Sequence, residues 1–185
     1  MTQTAPSPES VLRTYFHAKD ENRPHLLDEV FAEDAVLHVH NASSAITFPS
    51  VTQGREAISA VLVGDFNRAY ENIYSFYLAR PPADAAAFAC AWLVGMTDKS
   101  TREVRVGCGT YEWQFGAAPT PLASQLVIRI DAMQLLPSDA RRPVLSWLRS
   151  LSYPWSSPAE MLNHAPAVPG LAPVLQWLHG RKTVA

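Results

Sequence analysis

Four stretches decide the fold: YENIYSFYL (Tyr70–Leu78), AAAFACAWLVGM (Ala85–Met96), REVRVGCGTYEWQF (Arg102–Phe115) and SQLVIRIDAMQLL (Ser124–Leu136). Each is rich in the β-branched and aromatic residues that suit a half-buried pleated surface. They are punctuated by turn signals: Pro81-Pro82, then Asp98-Lys99-Ser100, then the loop from Gly116 to Pro121. Connections this short cannot make parallel crossovers, so these consecutive strands run mostly antiparallel. Strand parity puts Cys90, Trp92 and Val94 on one face of the second stretch, and Gly109, Tyr111 and Trp113 on one face of the third.

Upstream the period changes. Ser7-Pro8-Glu9 is a helix start, with Ser7 as the cap and Pro8 at the first helical position. Val11, Leu12, Tyr15, Phe16 and Ala18 follow at helical spacing and give that helix one buried face. The run Asp20 to Pro24 is a turn into a second short helix with Leu26, Leu27, Val30 and Phe31 as its apolar face. Ala35 to Asn41 then alternates, with Leu37, Val39 and Asn41 on the inward side. Gly54 to Phe66 reads as a third helix that buries Ile58, Val61, Leu62 and Phe66. Helices first and a run of strands afterwards is α+β order.

The chain changes again at Pro137, becoming rich in Pro and Trp with no strand pattern. Val144, Leu145, Trp147, Leu148 and Leu151 make one amphipathic helix. Ser157-Pro158-Ala159-Glu160 is a capping box opening another, and Pro173 to His179 is a third, stopped by Gly180. We read residues 1–136 as one domain and 137–185 as a helical extension, packed on the domain or across a subunit contact.

With 48% hydrophobic residues among 185, the chain has enough apolar material for a sizeable core. A net charge of −2 argues against a nucleic-acid partner, which needs clustered Lys and Arg. No apolar run reaches membrane-spanning length, and the first residues have neither a basic start nor an apolar stretch, so a cytoplasmic protein is expected. Cys90 and Cys108 lie inside strand patterns and are expected as buried, reduced thiols, with a disulfide between neighbouring strands left open. His38 and His40 share a strand face and could both reach one ion, but no His or Cys pattern supplies a third ligand, so no metal is expected. There is no Gly-x-Ser-x-Gly elbow, phosphate loop or dinucleotide fingerprint, and no cofactor is expected.

The order helix, helix, strand, helix, then four long strands resembles the nuclear transport factor 2-like superfamily. So does the wording of Val11 to Phe16, of Phe31-Ala32-Glu33-Asp34-Ala35, of Gly54-Arg55-Glu56-Ala57-Ile58 and of Val127-Ile128-Arg129-Ile130. The resemblance covers about Ser7 to Leu136. It implies a curved sheet closed by the N-terminal helices over a pocket, in a superfamily that includes ketosteroid isomerases, SnoaL-like polyketide cyclases, scytalone dehydratase and non-catalytic proteins. Fold alone does not choose among these.

Carried over position by position, the resemblance puts Tyr15 at the isomerases' oxyanion tyrosine. It puts Val39 at their base and Gly109 at or near their neutral acid, so two of three parts of that mechanism are missing. On the scytalone dehydratase template Asp20 falls at the orienting aspartate, but Asn72 or Tyr74 stands where its histidine would be. Tyr15 also has a plain reading as core packing, and Asp20 as a residue ordering the turn before Pro24.

Tyr15 and Asp20 are therefore the inherited catalytic candidates, with Asp131 as an outsider. Tyr15, Val39, Asn41, Trp92, Tyr111 and Trp113 are the expected binding surface for a small hydrophobic molecule. The expected function is small-molecule binding with proton-transfer chemistry of the cyclase, dehydratase or isomerase type. The alternatives are a non-catalytic binding or accessory protein, or a structural subunit resembling the small subunit of ring-hydroxylating dioxygenases. The resemblance also implies a homodimer through the exposed sheet face. All of this requires that Trp92, Trp113 and their neighbours leave the hollow under the helices unfilled.

Overall fold

The computed structural model describes residues 6–117, 119 and 121–181. The expectation for the first residues therefore lies partly outside the described residues, as does part of the Gly116 to Pro121 loop. Helix α1 (Pro8–Asp20) opens on a reciprocal cap, in which Ser10 N donates to Ser7 Oγ at 3.2 Å and Ser7 N donates to Ser10 Oγ at 2.8 Å. Its buried face is the expected one with two additions, Pro8 and Lys19. The second helix is shorter than the sequence implies. It is a 3-10 segment, Pro24–Glu29, that buries Leu27, and Phe31 already belongs to strand β1 (Phe31–Asn41).

The connection after β1 contains an element the sequence reading missed. Strand β2 (Val51–Gln53) pairs antiparallel with β1 and places Thr52 opposite Leu37. Three residues are too few to show a period. The helix after it runs as α2 (Arg55–Ser59), a wider π segment (Ala60–Asp65) and α3 (Phe66–Ala69). A π turn advances the buried face by one residue relative to an α-helix. Val63 joins Ile58, Leu62 and Phe66 in the core, and Val61, expected there, is only partly buried.

The four decisive stretches form β3 (Tyr70–Tyr77), β4 (Ala87–Asp98), β5 (Val104–Phe115) and β6 (Ala123–Leu136). The sheet order is β2-β1-β6-β5-β4-β3, antiparallel throughout except where β1 lies parallel to β6. Cross-strand rows fix the two faces. Cys90–Tyr111–Ile128 and Phe88–Trp113–Leu126 look inward under α1, whereas Leu93–Cys108–Ala132 looks outward. Cys90 and Cys108 are both free and buried, and lie on opposite faces of the sheet. Gly109 sits at a register shift between β5 and β6, where a Cβ would come within 1.8 Å of the Arg129 carbonyl oxygen.

The extension packs on the outer face. Its elements are a 3-10 turn (Ser138–Ala140), α4 (Arg141–Ser150), α5 (Pro158–His164), a second 3-10 turn (Pro169–Leu171) and α6 (Ala172–His179). Val144, Trp147 and Leu148 from α4 join Val174 and Leu178 from α6 in a second core over Phe76, Leu93, Val104, Val106 and Leu136. Leu148 lies so close to β4 that a Cβ on Gly95 would stand 2.2 Å from its Cδ1. The chain before α5 also covers the edge of β3, where Tyr77 N donates to Pro154 O and Ser156 N donates to Tyr77 O.

Of two terminal details, the stop of α6 at Gly180 falls where the sequence puts it and the capping box of α5 does not. Ser157 caps α5, but Glu160 does not close the box; its carboxylate instead accepts from Ser152 N at 2.7 Å, Ser152 Oγ at 2.9 Å and Ser156 Oγ at 2.9 Å. Gly180 follows α6 with φ −64, so it does not end the helix in the left-handed conformation. The apolar half of the outer face, which the sequence reading offered to a subunit contact, is occupied by the chain's own tail.

Candidate functional site

Under α1 the inner face is an aromatic mass. Trp113 and Tyr15 are fully buried, with ring centroids 5.2 Å apart and near-perpendicular planes. Trp113 also stacks on Phe31 and Phe115, and Trp92 stacks on Tyr111 at 5.5 Å. Most of the hollow that the resemblance implies is therefore filled by side chains. What stays open is a cavity of about 40 Å³ lined by Tyr15, Lys19, Phe48, Phe66, Tyr111 and Met133, among others. That is room for a water or two; pockets for drug-sized ligands run to about 300–1,000 Å³.

The expected binding residues divide accordingly. Tyr15 and Tyr111 border the cavity; Val39, Trp92 and Trp113 are buried elsewhere in the core and do not. Asn41 is exposed at the end of β1, where its Nδ2 donates to Ile46 O at 2.6 Å and its Oδ1 accepts from Ser43 N. It therefore holds the β1–β2 connection rather than lining the cavity. That connection supplies Ile46 and Phe48 to the cavity wall. Arg105 ties it from the other side, with Nε donating to Ala45 O at 3.0 Å while NH1 pairs with Asp98 at 2.8 Å.

The polar end of the cavity comes from α1. Tyr15 and Lys19 are one helical turn apart and share a face. The Tyr15 hydroxyl is buried with no hydrogen bond of good geometry, and the nearest group that could share one is the Tyr111 hydroxyl. Burial pushes its pKa up, with Asp20 adding to the shift, so it stays a protonated donor. Lys19 Nζ donates to Asp20 Oδ1 at 2.7 Å and to Ser75 Oγ at 2.6 Å, and the two charged side chains are only 6% and 5% exposed. Asp20 also accepts from Ser75 N at 2.9 Å and Ser75 Oγ at 2.8 Å. Burial raises the Asp20 carboxyl, and Lys19 and Ser75 pull against that rise.

Asp20 is thus more than an orderer of the turn. It reaches across to β3 and meets a serine and a lysine, not a histidine. Asn72 sits at a register shift in β3 with φ 53, and Tyr74 packs with the outer cluster, so neither stands beside Asp20 in the hydrogen-bond network. Asp131 is exposed on the outer side, accepting from Trp177 Nε1 at 2.8 Å, so it ties down the tail. His38 and His40 pair with Val127 and Arg129 in the outward rows. Among the described residues no group of three His, Cys, Asp or Glu side chains could hold a metal. No helix there is long and apolar enough to cross a membrane.

Sequence reasoning missed Lys19 and Ser75, and the only signal for them is one of position. A lysine four residues after Tyr15 and three after Phe16 falls on the apolar face of α1, and Ser75 falls on the inward parity of β3 between Ile73 and Tyr77.

No protein-family model matches the chain, and no curated protein matches it either. Solved structures do resemble it. A nuclear transport factor 2-like superfamily protein from Salmonella enterica is 12% identical with a TM-score of 0.54, over 67% of this chain and 88% of that one. A putative scytalone dehydratase from Novosphingobium aromaticivorans is 15% identical with a TM-score of 0.54, over 69% and 83%. A hexachlorocyclohexane dehydrochlorinase, LinA-type3, from Novosphingobium barchaimii is 13% identical with a TM-score of 0.54, over 68% and 85%. At such identities the likeness is one of shape. This chain has the fold of those proteins, a nuclear transport factor 2-like α+β cone, with C-terminal helices on the outer face of its sheet.

Proposed function

We propose that the cone binds a small, mostly apolar molecule carrying one hydrogen-bond-accepting oxygen, and that its polar end acts on that molecule by proton transfer. The observation that carries the reading is the Tyr15 hydroxyl, buried at the cavity wall with no well-formed hydrogen bond and only the Tyr111 hydroxyl in reach. A buried donor without an acceptor costs about 1–3 kcal/mol, and a ligand oxygen would recover that cost. Lys19 and Asp20 supply the titratable groups, as a buried charge pair beside the cavity. Entry requires Ile46 and Phe48 to swing outward, because about 40 Å³ admits no cyclic molecule. Their connection has few polar ties, chiefly those from Asn41 and Arg105.

A second reading, binding without catalysis, is favoured by Val39 at the position where the resemblance puts a base. An NMR titration with cyclohexanone and 1-naphthol tests the binding itself. Shift changes should concentrate on Tyr15, Ile46, Phe48 and Tyr111. If neither probe perturbs these residues at millimolar concentration, the cavity is not a ligand site. Once a substrate is found, turnover by the Tyr15→Phe variant at the wild-type rate would leave only the binding reading.

A further inference from the structure

The tail does not cover the whole outer face of the sheet. Across β4 and β5 the row Leu93–Cys108 lies under α4 and α6, and the next two outward rows are Ala91–Thr110 and Ala89–Glu112. These four residues line a groove of about 470 Å³ together with Leu78, Pro158 and, just past α6, Arg181. The space under α1 is about 40 Å³, whereas this one falls within the roughly 300–1,000 Å³ of small-molecule sites. Alanine at both outward β4 positions keeps it open, since side chains of the size of Leu93 would fill it. Pro158 and Arg181 belong to the C-terminal extension, so the groove exists only because that extension stops where it does.

Arg181 is set there as a donor. Its Cζ lies 3.4 Å from the centre of the Trp177 ring, and Trp177 is itself fixed by Nε1 donating to Asp131 at 2.8 Å. Stacking holds the guanidinium plane and leaves its edge to bond outward. That edge is poorly used. Nη1 reaches Trp177 O only at 3.3 Å, and Asp131 Oδ2 is 3.6 Å from Nη2 and already accepts from Trp177. The other charge on the groove, Glu112, is spent on Arg129, whose Nε donates to it at 2.8 Å. The unspent polar capacity is therefore cationic, with the Thr110 hydroxyl as a second group able to donate. The remaining side chains of the groove are apolar.

We infer that this groove binds a small carboxylate with an apolar, ring-sized body: the Arg181 guanidinium and the Thr110 hydroxyl take the carboxylate, and the body lies over Ala89 and Ala91. A charged acceptor on a guanidinium makes a stronger bond than a neutral one, which is why the class is an acid and not its amide. The groove is on the opposite face of the sheet from the cavity under α1 and stands whether or not that cavity takes a ligand.

Two probes of the same shape test this at pH 7: 2-naphthoate, which is ionised, and 2-naphthamide, which is neutral. Wild-type protein should bind the acid about tenfold more tightly at low salt, the lower end of what a hydrogen bond to a charged group gives. Added salt should narrow that gap. NMR shift changes should concentrate on Ala89, Ala91, Thr110 and the Trp177 indole N–H. Arg181→Gln should remove the preference and keep the affinity for the amide. Ala91→Leu should abolish binding of both probes by filling the floor. Neither residue is buried, so both variants should melt with the wild type. Equal affinity of wild-type protein for the two probes, or a preference that survives Arg181→Gln, overturns the role of Arg181. Shift changes at Tyr15 and Phe48 in place of the groove residues would put the probes under α1, and no shift at millimolar probe would mean an empty groove; either result overturns the inference. So does binding that fades as the protein is concentrated into a dimer, because a second copy would then be the occupant.

Discussion

Each face of the sheet carries its own apolar core, the inner one the larger, and the two treat their polar atoms differently. On the outer face, under α4 and α6, Trp147 Nε1 donates to Met161 O at 3.0 Å and Trp177 Nε1 to Asp131 at 2.8 Å. On the inner face Tyr15 Oη, Trp92 Nε1 and Trp113 Nε1 are buried with no partner, as are Trp155 Nε1 in the same cluster and Thr52 Oγ1 opposite Leu37. Native interiors leave few such groups, because each costs free energy. A face that only packs can satisfy its donors, as the outer one does beneath the tail. Of these groups only the Tyr15 hydroxyl borders the cavity, so it alone is open to something that arrives later.

The largest effect should come from the satisfied face. Trp147 is 3% exposed and sits in the core between tail and sheet. Trp147→Ala should cost about 3–5 kcal/mol through the cavity it leaves, with a further loss at the Met161 carbonyl. Chemical denaturation reads the loss directly. Probe-induced NMR shifts at Tyr15 and Tyr111 should persist in the folded fraction. A cost below about 1 kcal/mol would mean that the tail is draped over the sheet without sharing a core with it.

Most of this contrast was written in the sequence, though unevenly. The period-two runs from Tyr70 to Leu136 gave the strands to within a few residues, because each long strand has one aromatic or branched face and a turn signal at its end. In the helix after Gly54 the sequence points to Val61 and the core takes Val63, because a π turn leaves no mark in apolar spacing. The parallel pairing of β1 with β6 joins residues far apart in the chain, which no local pattern encodes. At the site, Tyr15 and Asp20 followed from position, whereas Lys19 and Ser75 did not, since a lysine on a helix reads as solvated until its partners on another element are known. The size of the cavity was beyond reach as well. Parity says that Trp92 and Trp113 point inward, but whether two indoles fill a cone or merely line it depends on their packing in three dimensions.

The rim of the inner face offers a pH test of intermediate size. Asp98 accepts from Ser100 Oγ and from Thr101 N and pairs with Arg105, and these hold its pKa down to about 2 against the opposing effect of burial. A carboxyl lowered in the folded state stabilises the protein above its ordinary pKa of about 3.9, and that stabilisation fades as pH falls toward 2. Wild-type Tm should therefore drop more steeply than that of Asp98→Asn between about pH 5 and pH 2, and the two curves should converge at the acid end. Parallel curves would show that Asp98 is not held by this network. Arg105 also ties down Ala45 O, so the same titration should loosen the connection bearing Ile46 and Phe48.

The finest test sets two buried tyrosines against each other. Tyr77 and Tyr15 are both fully buried on the inner face, but Tyr77 Oη donates to Leu12 O at 2.9 Å whereas Tyr15 Oη makes no well-formed bond, with only the Tyr111 hydroxyl in reach. Tyr77→Phe removes one partner of a made bond and strands a carbonyl, so it should cost about 1 kcal/mol or somewhat more. Tyr15→Phe removes a donor that makes no well-formed bond, so the empty protein should lose close to nothing, and it should even gain a few tenths of a kcal/mol from relief of desolvation. The penalty of Tyr15→Phe should appear only with ligand, as weaker cyclohexanone binding at unchanged Tm. Equal destabilisation by the two substitutions would mean that the Tyr15 hydroxyl is already satisfied inside the empty protein. The inner face would then be a finished core like the one beneath the tail, and the donor that calls for a ligand would be gone.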